Sequence, residues 1–320
     1  MKAVIPCALK EEQLFPFSET LPTALMPVMG RPIIEHLIED LESAGVDEFY
    51  IVSNHLEEKF KEKFKKNPKV NVVHQEELTG TGSALQAVEP FNEDFFVVNG
   101  DVVVSNRDLR NLKKKFQSSS SKVSMLAAGE EKPEKFGVLS ITNDEVTAIH
   151  EKPDEPDNSL VNTGIYMFEP EIFDLIEELE EDQNSLVDSV KELAKREEAT
   201  FELVEDYWVD IGNPKTLKKA DAVKREFEIT ETNVADSAEV HENVDLIGNV
   251  QVSEDAVLKP GVVVEGDVYI GNGTIVEPNT RLKNCSISDN GVIDAESIRE
   301  SIIFHENIID PSVCIENCII

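Results

Sequence analysis

From Val234 onward the chain keeps an apolar residue at every sixth position: Val234, Val240, Leu246, Val252, Leu258, Val264, Ile270, Val276 and Leu282. Four residues after each stands a small or β-branched side chain: Ala238, Val244, Val250, Ala256, Val262, Val268, Thr274, Thr280 and Ser286. Nine consecutive matches at both positions leave little room for anything but a parallel β-helix of hexapeptide repeats, a stack of short strands each closed by a turn. After Leu282 the spacing slips to Ile287 and Ile293, then runs less regularly through Ile298, Ile303, Ile309 and Ile315. Short slips of this kind predict turns of altered length within the same stack.

Upstream the pattern is different. Ala3–Ile5, Phe49–Val52, Val70–Val73 and Phe95–Val98 read as short apolar strands. Between them, Ile33–Ala44, Leu56–Phe64 and Ser83–Val88 carry helical apolar spacing. Alternation of this kind predicts βαβ units in an α/β domain with a mostly parallel sheet. Ligands of such sheets bind at the carboxyl ends of the strands. The expected division is an α/β domain over residues 1–225 and a repeat domain over 226–320, with residues 222–233 as helix end and connector.

Composition narrows the function classes. The chain carries 64 acidic residues against 30 basic ones, a formal net charge of −34. The carboxylates are spread along the whole length, with one dense run from Glu177 to Asp182. A global excess predicts a solvated acidic surface suited to high salt, where screening over a few ångström removes self-repulsion. A halophilic source is expected, and nucleic-acid binding through a basic face is excluded. No apolar run reaches membrane-spanning length and no signal-peptide pattern opens the chain, so a cytoplasmic protein without membrane contact is expected. Of the four cysteines, Cys285, Cys314 and Cys318 read as small buried residues, and none forms a CxxC pair. The six histidines show no shared cluster; His305 lies in the repeat region but lacks the setting that acyl transfer would need.

The first 32 residues, MKAVIPCALKEEQLFPFSETLPTALMPVMGRP, resemble the opening of the sugar-1-phosphate nucleotidylyltransferases. That family begins with a strand, then L-A-A-G-x-G-T-R-x-x-P-x-T-x-x-x-P-K, then P-V-x-G-K-P. Pro16, Pro22, Pro27, Val28, Gly30 and Pro32 fall in register. The glycine positions hold Leu9 and Glu11, the arginine position Gln13 and the lysine position Thr23. A phosphate cradle uses glycines because its backbone must approach the phosphates closely. Leu9 adds a branched side chain there. Glu11 adds a negative charge, and like charges about 4 Å apart repel by roughly 4 kcal/mol at an effective dielectric near 20. Gln13 and Thr23 supply no cation, and losing such a group costs on the order of 10²–10³ in rate. Lys10 also lies in the loop but out of register.

Further motifs follow in family order. The stretch from Gln75 to Ala84 resembles Q-x-x-x-x-G-T-x-x-A, which implies that Gln75 and Gly80 read the nucleobase. Asn99-Gly100-Asp101 resembles N-G-D, and the stretch from Tyr207 to Pro214 resembles W-x-D-x-G-T-P, with Asn213 replacing the usual Thr. The resemblance implies that Asp101 and Asp210 hold Mg²⁺; capping of a following turn or helix is the other reading of each aspartate. Phe136-Gly137-Val138, Glu151-Lys152-Pro153 and Asn162-Thr163-Gly164-Ile165-Tyr166 resemble the sugar-phosphate segments Y-G-V, E-K-P and N-x-G-I-Y. By that resemblance Gly137, Glu151, Lys152 and Asn162 contact the sugar phosphate; a bracing hairpin is the structural alternative. Many nucleotidylyltransferases carry a hexapeptide domain behind the catalytic one, and resemblance to hexapeptide-repeat proteins implies the left-handed form.

Together these readings imply a Rossmann-like nucleotidyltransferase domain followed by a left-handed β-helix. The eroded loop implies a catalytically deficient member. It would bind a sugar phosphate or nucleotide sugar, as a homo-oligomer or as a hetero-oligomer that regulates or scaffolds an active paralogue. The alternatives are an active Mg²⁺-dependent enzyme making NDP-sugar and pyrophosphate, and a ligand-free assembly module.

Overall fold

The computed structural model describes residues 1–8, 12–76, 81–179, 185–311 and 313–320. They pack as two compact units. The first is Met1–Leu25 with Ile34–Asp210; the second is Met26–Ile33 with Ile211–Ile320.

In the first unit, strands β1 (Lys2–Pro6), β4 (Glu48–Ser53), β5 (Val70–His74) and β6 (Phe95–Val98) alternate with helices α1 (Ile33–Ser43), α2 (Glu57–Phe64) and α3 (Thr81–Gln86). Then come β7 (Val102–Val104), α4 (Asn106–Ser118), β8 (Val123–Gly129), β9 (Gly137–Thr142), β10 (Glu145–Glu151) and β11 (Leu160–Phe168). Helices α5 (Ile172–Glu178) and α6 (Leu186–Lys195) precede β12 (Ala199–Leu203) and β13 (Trp208–Asp210). The main sheet has nine strands in the order β5-β4-β1-β6-β11-β8-β12-β10-β9. β11 and β10 run against the others. β7 and β13 form a separate two-stranded ribbon.

The unbroken apolar run Phe95–Val98 follows from its place in the sheet. Every one of its residues is buried, as expected for a strand covered on both faces. Phe96 and Val98 join the core on one side, and Phe95 and Val97 the core on the other. Helix starts are set by side-chain caps. Ser105 accepts from the Asp108 amide at 3.0 Å, and Ser185 from the Asp188 amide at 3.1 Å. Caps of this kind contribute about 1 kcal/mol each. Leu109, Leu112 and Phe116 then fall on the buried face of α4. No helix among the described residues is long and apolar enough to cross a membrane.

The second unit contains the short hairpin of β2 (Pro27–Val28) and β3 (Arg31–Pro32), helix α7 (Pro214–Glu228) and the β-helix. Fifteen short strands, β14 to β28 between Asn233 and Glu316, stack into three parallel sheets of five. This is the parallel β-helix expected from the hexads, consistent with the left-handed form that the resemblance implies. Val234, Val252, Ile270, Ile287 and Ile303 form one register column; Val240, Leu258, Val276, Ile293 and Ile309 form the second; Leu246, Val264, Leu282, Ile298 and Ile315 form the third. The slips after Leu282 are therefore shortened turns, and the columns continue unbroken.

Within this unit the hairpin is clasped by a buried ion pair. Asp221 accepts from the Met29 amide at 2.8 Å and from Arg225 Nε at 2.9 Å. Arg225 also donates to the Asp267 carbonyl in the β-helix. Gly30 has φ +69° and lies under Tyr269, where a Cβ would come within 2.2 Å of the ring. Both the backbone conformation and the ring demand glycine there. The expectation of three buried cysteines in this region needs correction. Only Cys285 is buried, whereas Cys314 and Cys318 are exposed because they stand on outward-facing and turn positions.

Candidate active site

The parallel strands β5, β4, β1 and β6 end side by side, and the sequence-predicted residues gather beyond those ends. Gln75 follows β5. Its amide donates to the Ser53 carbonyl at 2.9 Å, and its buried side chain donates to Ser83 Oγ at 2.7 Å. Asn54 Nδ2 donates to the Gln75 carbonyl at 2.8 Å, fixing the turn from the other side. Cys7 follows β1 and donates its amide to the Val52 carbonyl at 2.7 Å. Asn99, Gly100 and Asp101 follow β6. Gly100 donates to the Pro6 carbonyl at 2.9 Å, and a Cβ on it would lie 2.2 Å from Cys7 Sγ. That approach explains the glycine of the N-G-D segment. Burial, reinforced by the nearby Asp101 charge, pushes the Cys7 thiol well above its usual range, so it stands there as a neutral thiol.

The β7–β13 ribbon brings the two aspartate segments together. Asp210 is the register partner of Val102, and Asp101 stands one residue before that partner, just outside β7. Neither caps a helix. Ser105 caps α4, and Asn213 caps α7 by accepting from the Lys215 and Thr216 amides at 3.0 and 3.1 Å in a capping box with Thr216. Capping of α4 and α7 therefore falls to Ser105 and Asn213 rather than to the aspartates. It also gives Asn213, at the position where Thr is usual, a role of its own. Two carboxylates are a hard-oxygen donor set that suits Mg²⁺ when water and phosphate oxygens complete the shell. Among the described residues no cluster of three or more metal-ligating side chains occurs, so the rest of such a shell would come from substrate and solvent.

The sugar-side residues lie on β9, β10 and β11. Glu151 is the register partner of Gly137, and a Cβ on Gly137 would lie 2.5 Å from Glu151 Oε1. Lys152 follows at φ +44°, and its amide donates to the Phe136 carbonyl at 2.9 Å. The Phe136 ring packs edge-on against Trp208 at 5.6 Å. The pairing of β11 with β8 is irregular between Asn162 and Tyr166. Within that irregularity Asn162 Nδ2 donates to the Tyr166 hydroxyl at 2.6 Å, and Asn162 Oδ1 accepts from the Gly164 amide at 3.2 Å. Burial first, and the Glu151 charge in addition, raise the Tyr166 phenol, while the Asn162 hydrogen bond opposes them. Gly164, at φ +75°, lies against the Asn99 side chain, joining the N-x-G and N-G-D segments.

Gln13 lies in a short 3₁₀ turn, Glu12–Leu14, and is exposed. Thr23 is buried in another, Thr23–Leu25, and its hydroxyl makes no hydrogen bond among the described residues. Leu9, Lys10, Glu11 and Gly80 lie outside the described residues. Tyr166, Asn99 and Cys7 belong to the cluster although the sequence reading assigned them no role. Tyr166 and Asn99 were signalled by the motifs that contain them; nothing local signalled Cys7.

A sheet with paired aspartates at its strand ends, in a chain that ends in a hexapeptide β-helix, defines a nucleotidyltransferase-type protein. The nucleotidyl transferase family model matches residues 9–226, and the chain belongs to that family, among the sugar-1-phosphate nucleotidylyltransferase homologues. It is 33% identical over 262 residues to the bifunctional protein GlmU of Methanocaldococcus jannaschii, an alignment covering 80% of this chain and 61% of that protein. The chain therefore spans about three fifths of that relative's length. It is 32% identical to a bifunctional sugar-1-phosphate nucleotidylyltransferase/acetyltransferase of Sulfurisphaera tokodaii, covering 95% of this chain and 75% of that protein. Among solved structures it resembles a putative glucose-1-phosphate thymidylyltransferase from Bacillus anthracis, with a TM-score of 0.66 and 25% identity, covering 73% of this chain and 97% of that one.

Proposed function

We propose that the first unit is a sugar-1-phosphate nucleotidylyltransferase site, taking an NTP and a sugar-1-phosphate to an NDP-sugar and pyrophosphate. The observation that carries this reading is the placement of Asp101 beside Asp210 with helix capping assigned to other residues. In this reading the two carboxylates hold Mg²⁺, which neutralises nucleotide phosphate charge when bound. Gln75, held by Ser83, reads the base edge together with Gly80. Glu151 and Asn162 sort sugar hydroxyls, Gly137 lets the sugar approach the backbone, and Lys152 binds the sugar phosphate as a point charge. The sugar phosphate oxygen attacks the α-phosphorus in line, and pyrophosphate leaves without a covalent enzyme intermediate.

A second reading is favoured by one specific observation. The positions of the signature cations hold an exposed amide, Gln13, and a buried hydroxyl, Thr23. In this reading the site binds a sugar phosphate or nucleotide sugar without efficient transfer, and the chain regulates or scaffolds an active paralogue. Pyrophosphate release, measured across all NTPs and common sugar-1-phosphates at molar KCl, separates the two. Turnover above about 1 s⁻¹, within the ordinary enzyme range, supports the first and removes the second. Absent turnover with ligand-induced thermal shifts supports the second. Absent turnover and absent shifts overturn both and leave an assembly module.

A further inference from the structure

Asp108 carries a carboxylate outside the site, in the first turn of α4, and it is fully buried. A buried carboxylate is costly unless its oxygens find donors. This one finds three. The Glu205 amide donates to Oδ1 at 2.8 Å, the Asp206 amide donates to Oδ2 at 3.2 Å, and Ser105 Oγ donates to Oδ2 at 2.7 Å. The two amides lie 97 and 98 residues further along the chain. Capping of α4 does not need this carboxylate, because Ser105 already accepts the Asp108 amide. Its two backbone partners place it instead as the holder of the turn at Glu205 and Asp206.

That turn leads directly into β13. The Ser105 amide donates to the Tyr207 carbonyl at 3.2 Å, and Trp208, Val209 and Asp210 then pair with Val104, Val103 and Val102. Among the described residues β13 pairs with β7 alone, and each strand is three residues long. A two-stranded ribbon of that length does not hold its place by its own ladder. Burial of Trp208 and Val209 sets its depth. The hydrogen bonds at its base set where it lies along β7. Arg107 grips the same turn from outside, with Glu205 at 2.6 Å and Asp206 at 2.9 Å. Those pairs face solvent and contribute little.

We propose that Asp108 is a positioning residue for Asp210: anchored at the start of α4, it fixes the start of β13 and thereby the place of Asp210 relative to the Asp101 segment. The assignment rests on the reading of Asp101 and Asp210 as the Mg²⁺ pair. Asp108→Asn is nearly isosteric and isolates the point. The amide has one oxygen, so whichever way it turns, its NH₂ group meets one of the two backbone N–H donors and strands it. The start of β13 then shifts, and Asp210 shifts with it. Loss of a group that orients a metal ligand lowers metal affinity by about 10–100-fold.

The test is calorimetric titration of the full chain in molar KCl with ATP, CTP, GTP, UTP and dTTP, each with and without Mg²⁺. For the nucleotide whose binding to the natural chain depends on Mg²⁺, Asp108→Asn lowers the affinity by about 10–100-fold with Mg²⁺ present and leaves the metal-free affinity unchanged. A merely structural carboxylate would lower both. In an Asp210→Asn background Asp108→Asn adds nothing, because the group that it places is no longer a charged ligand. Arg107→Ala leaves both affinities as they are. Should Asp108→Asn fail to fold, Ser105→Ala, which removes the hydroxyl bonded to Oδ2, reads the same split. Equal losses with and without Mg²⁺, no loss at all, or additive effects of Asp108→Asn and Asp210→Asn overturn the assignment of Asp108. Mg²⁺ dependence that survives in Asp101→Asn and Asp210→Asn, or its absence for all five nucleotides in the natural chain, overturns the metal-pair reading and the assignment with it.

Discussion

Asn162 gives its side-chain amide to the hydroxyl of Tyr166 at 2.6 Å, four residues along the same strand. In a regular strand these side chains would sit two pleats apart; the irregularity in β11 lets them meet. The carbonyl end of the same amide is held by Gly164, so the orientation of Asn162 is fixed before any ligand arrives. Tyr166→Phe keeps the ring beside Phe168 and removes the acceptor. We expect a loss of about 1–3 kcal/mol in denaturant unfolding, the usual consequence of stranding a buried donor. Sugar-1-phosphate affinity by calorimetry should fall with it. An unchanged affinity would separate Asn162 from sugar recognition.

The aspartate pair gives a second expectation. Asp101→Asn and Asp210→Asn should each abolish the Mg²⁺ dependence of nucleotide binding and lower any turnover by about 10²–10³, the range for removing one charge-stabilising group. Nucleotide titrations with and without Mg²⁺ check the first part, and turnover assays the second.

Restoring charge at the opening turns should act in the opposite direction. Gln13→Arg with Thr23→Lys is expected to tighten nucleotide binding and raise pyrophosphate release. Adding Leu9→Gly and Glu11→Gly should extend the gain. Unchanged nucleotide affinity in the fourfold variant would mean that other positions also block the triphosphate side.

Alkaline stability has a defined sign. Burial pushes the Cys285 thiol up to about 12 from an ordinary value of 9.0. A folded-state value raised above the unfolded one contributes stability that is complete below pH 9 and is lost as pH rises toward 12. At 1.36 kcal/mol per unit the loss is on the order of 4 kcal/mol. Cys285→Ala should flatten the stability profile between pH 9 and 12 while lowering stability at neutral pH through the cavity it leaves. Urea unfolding at stepped pH measures both.

Salt dependence tests the acidic surface. With 64 acidic and 30 basic residues, self-repulsion should make the chain least stable in dilute buffer and progressively more stable toward molar KCl, where the screening length is about 3 Å. Full stability in dilute buffer would contradict the halophilic expectation.

The β-helix was legible because a hexad writes its inward position directly into the spacing of Val, Leu and Ile. Even the slip from Leu282 to Ile287 only shortened a turn. The central strand Phe95–Val98 was legible for the same reason, as an apolar run with both faces covered. The site was only partly readable. Whether Asp101 and Asp210 cap helices depends on which neighbour reaches the helix amides, and Ser105 and Asn213 do so. The Asn162–Tyr166 bond depends on a local irregularity that no residue pattern announced. The contact between Met29 and Asp221 joins residues 192 positions apart, beyond the reach of any local signal.

That contact has a consequence for how the chain can be divided. The hairpin Met26–Ile33 packs with residues after 210, so the two units are interleaved along the polypeptide. No single peptide-bond cleavage yields both halves intact. A cut near residue 210 separates the hairpin from the rest of its unit, and a cut near residue 25 separates β1 from its sheet. A fusion or truncation at one point therefore cannot exchange one of the units cleanly. Segments on both sides of residues 34–210 must change together, and a recombinant that replaces only the tail inherits a hairpin fitted to the wrong tyrosine.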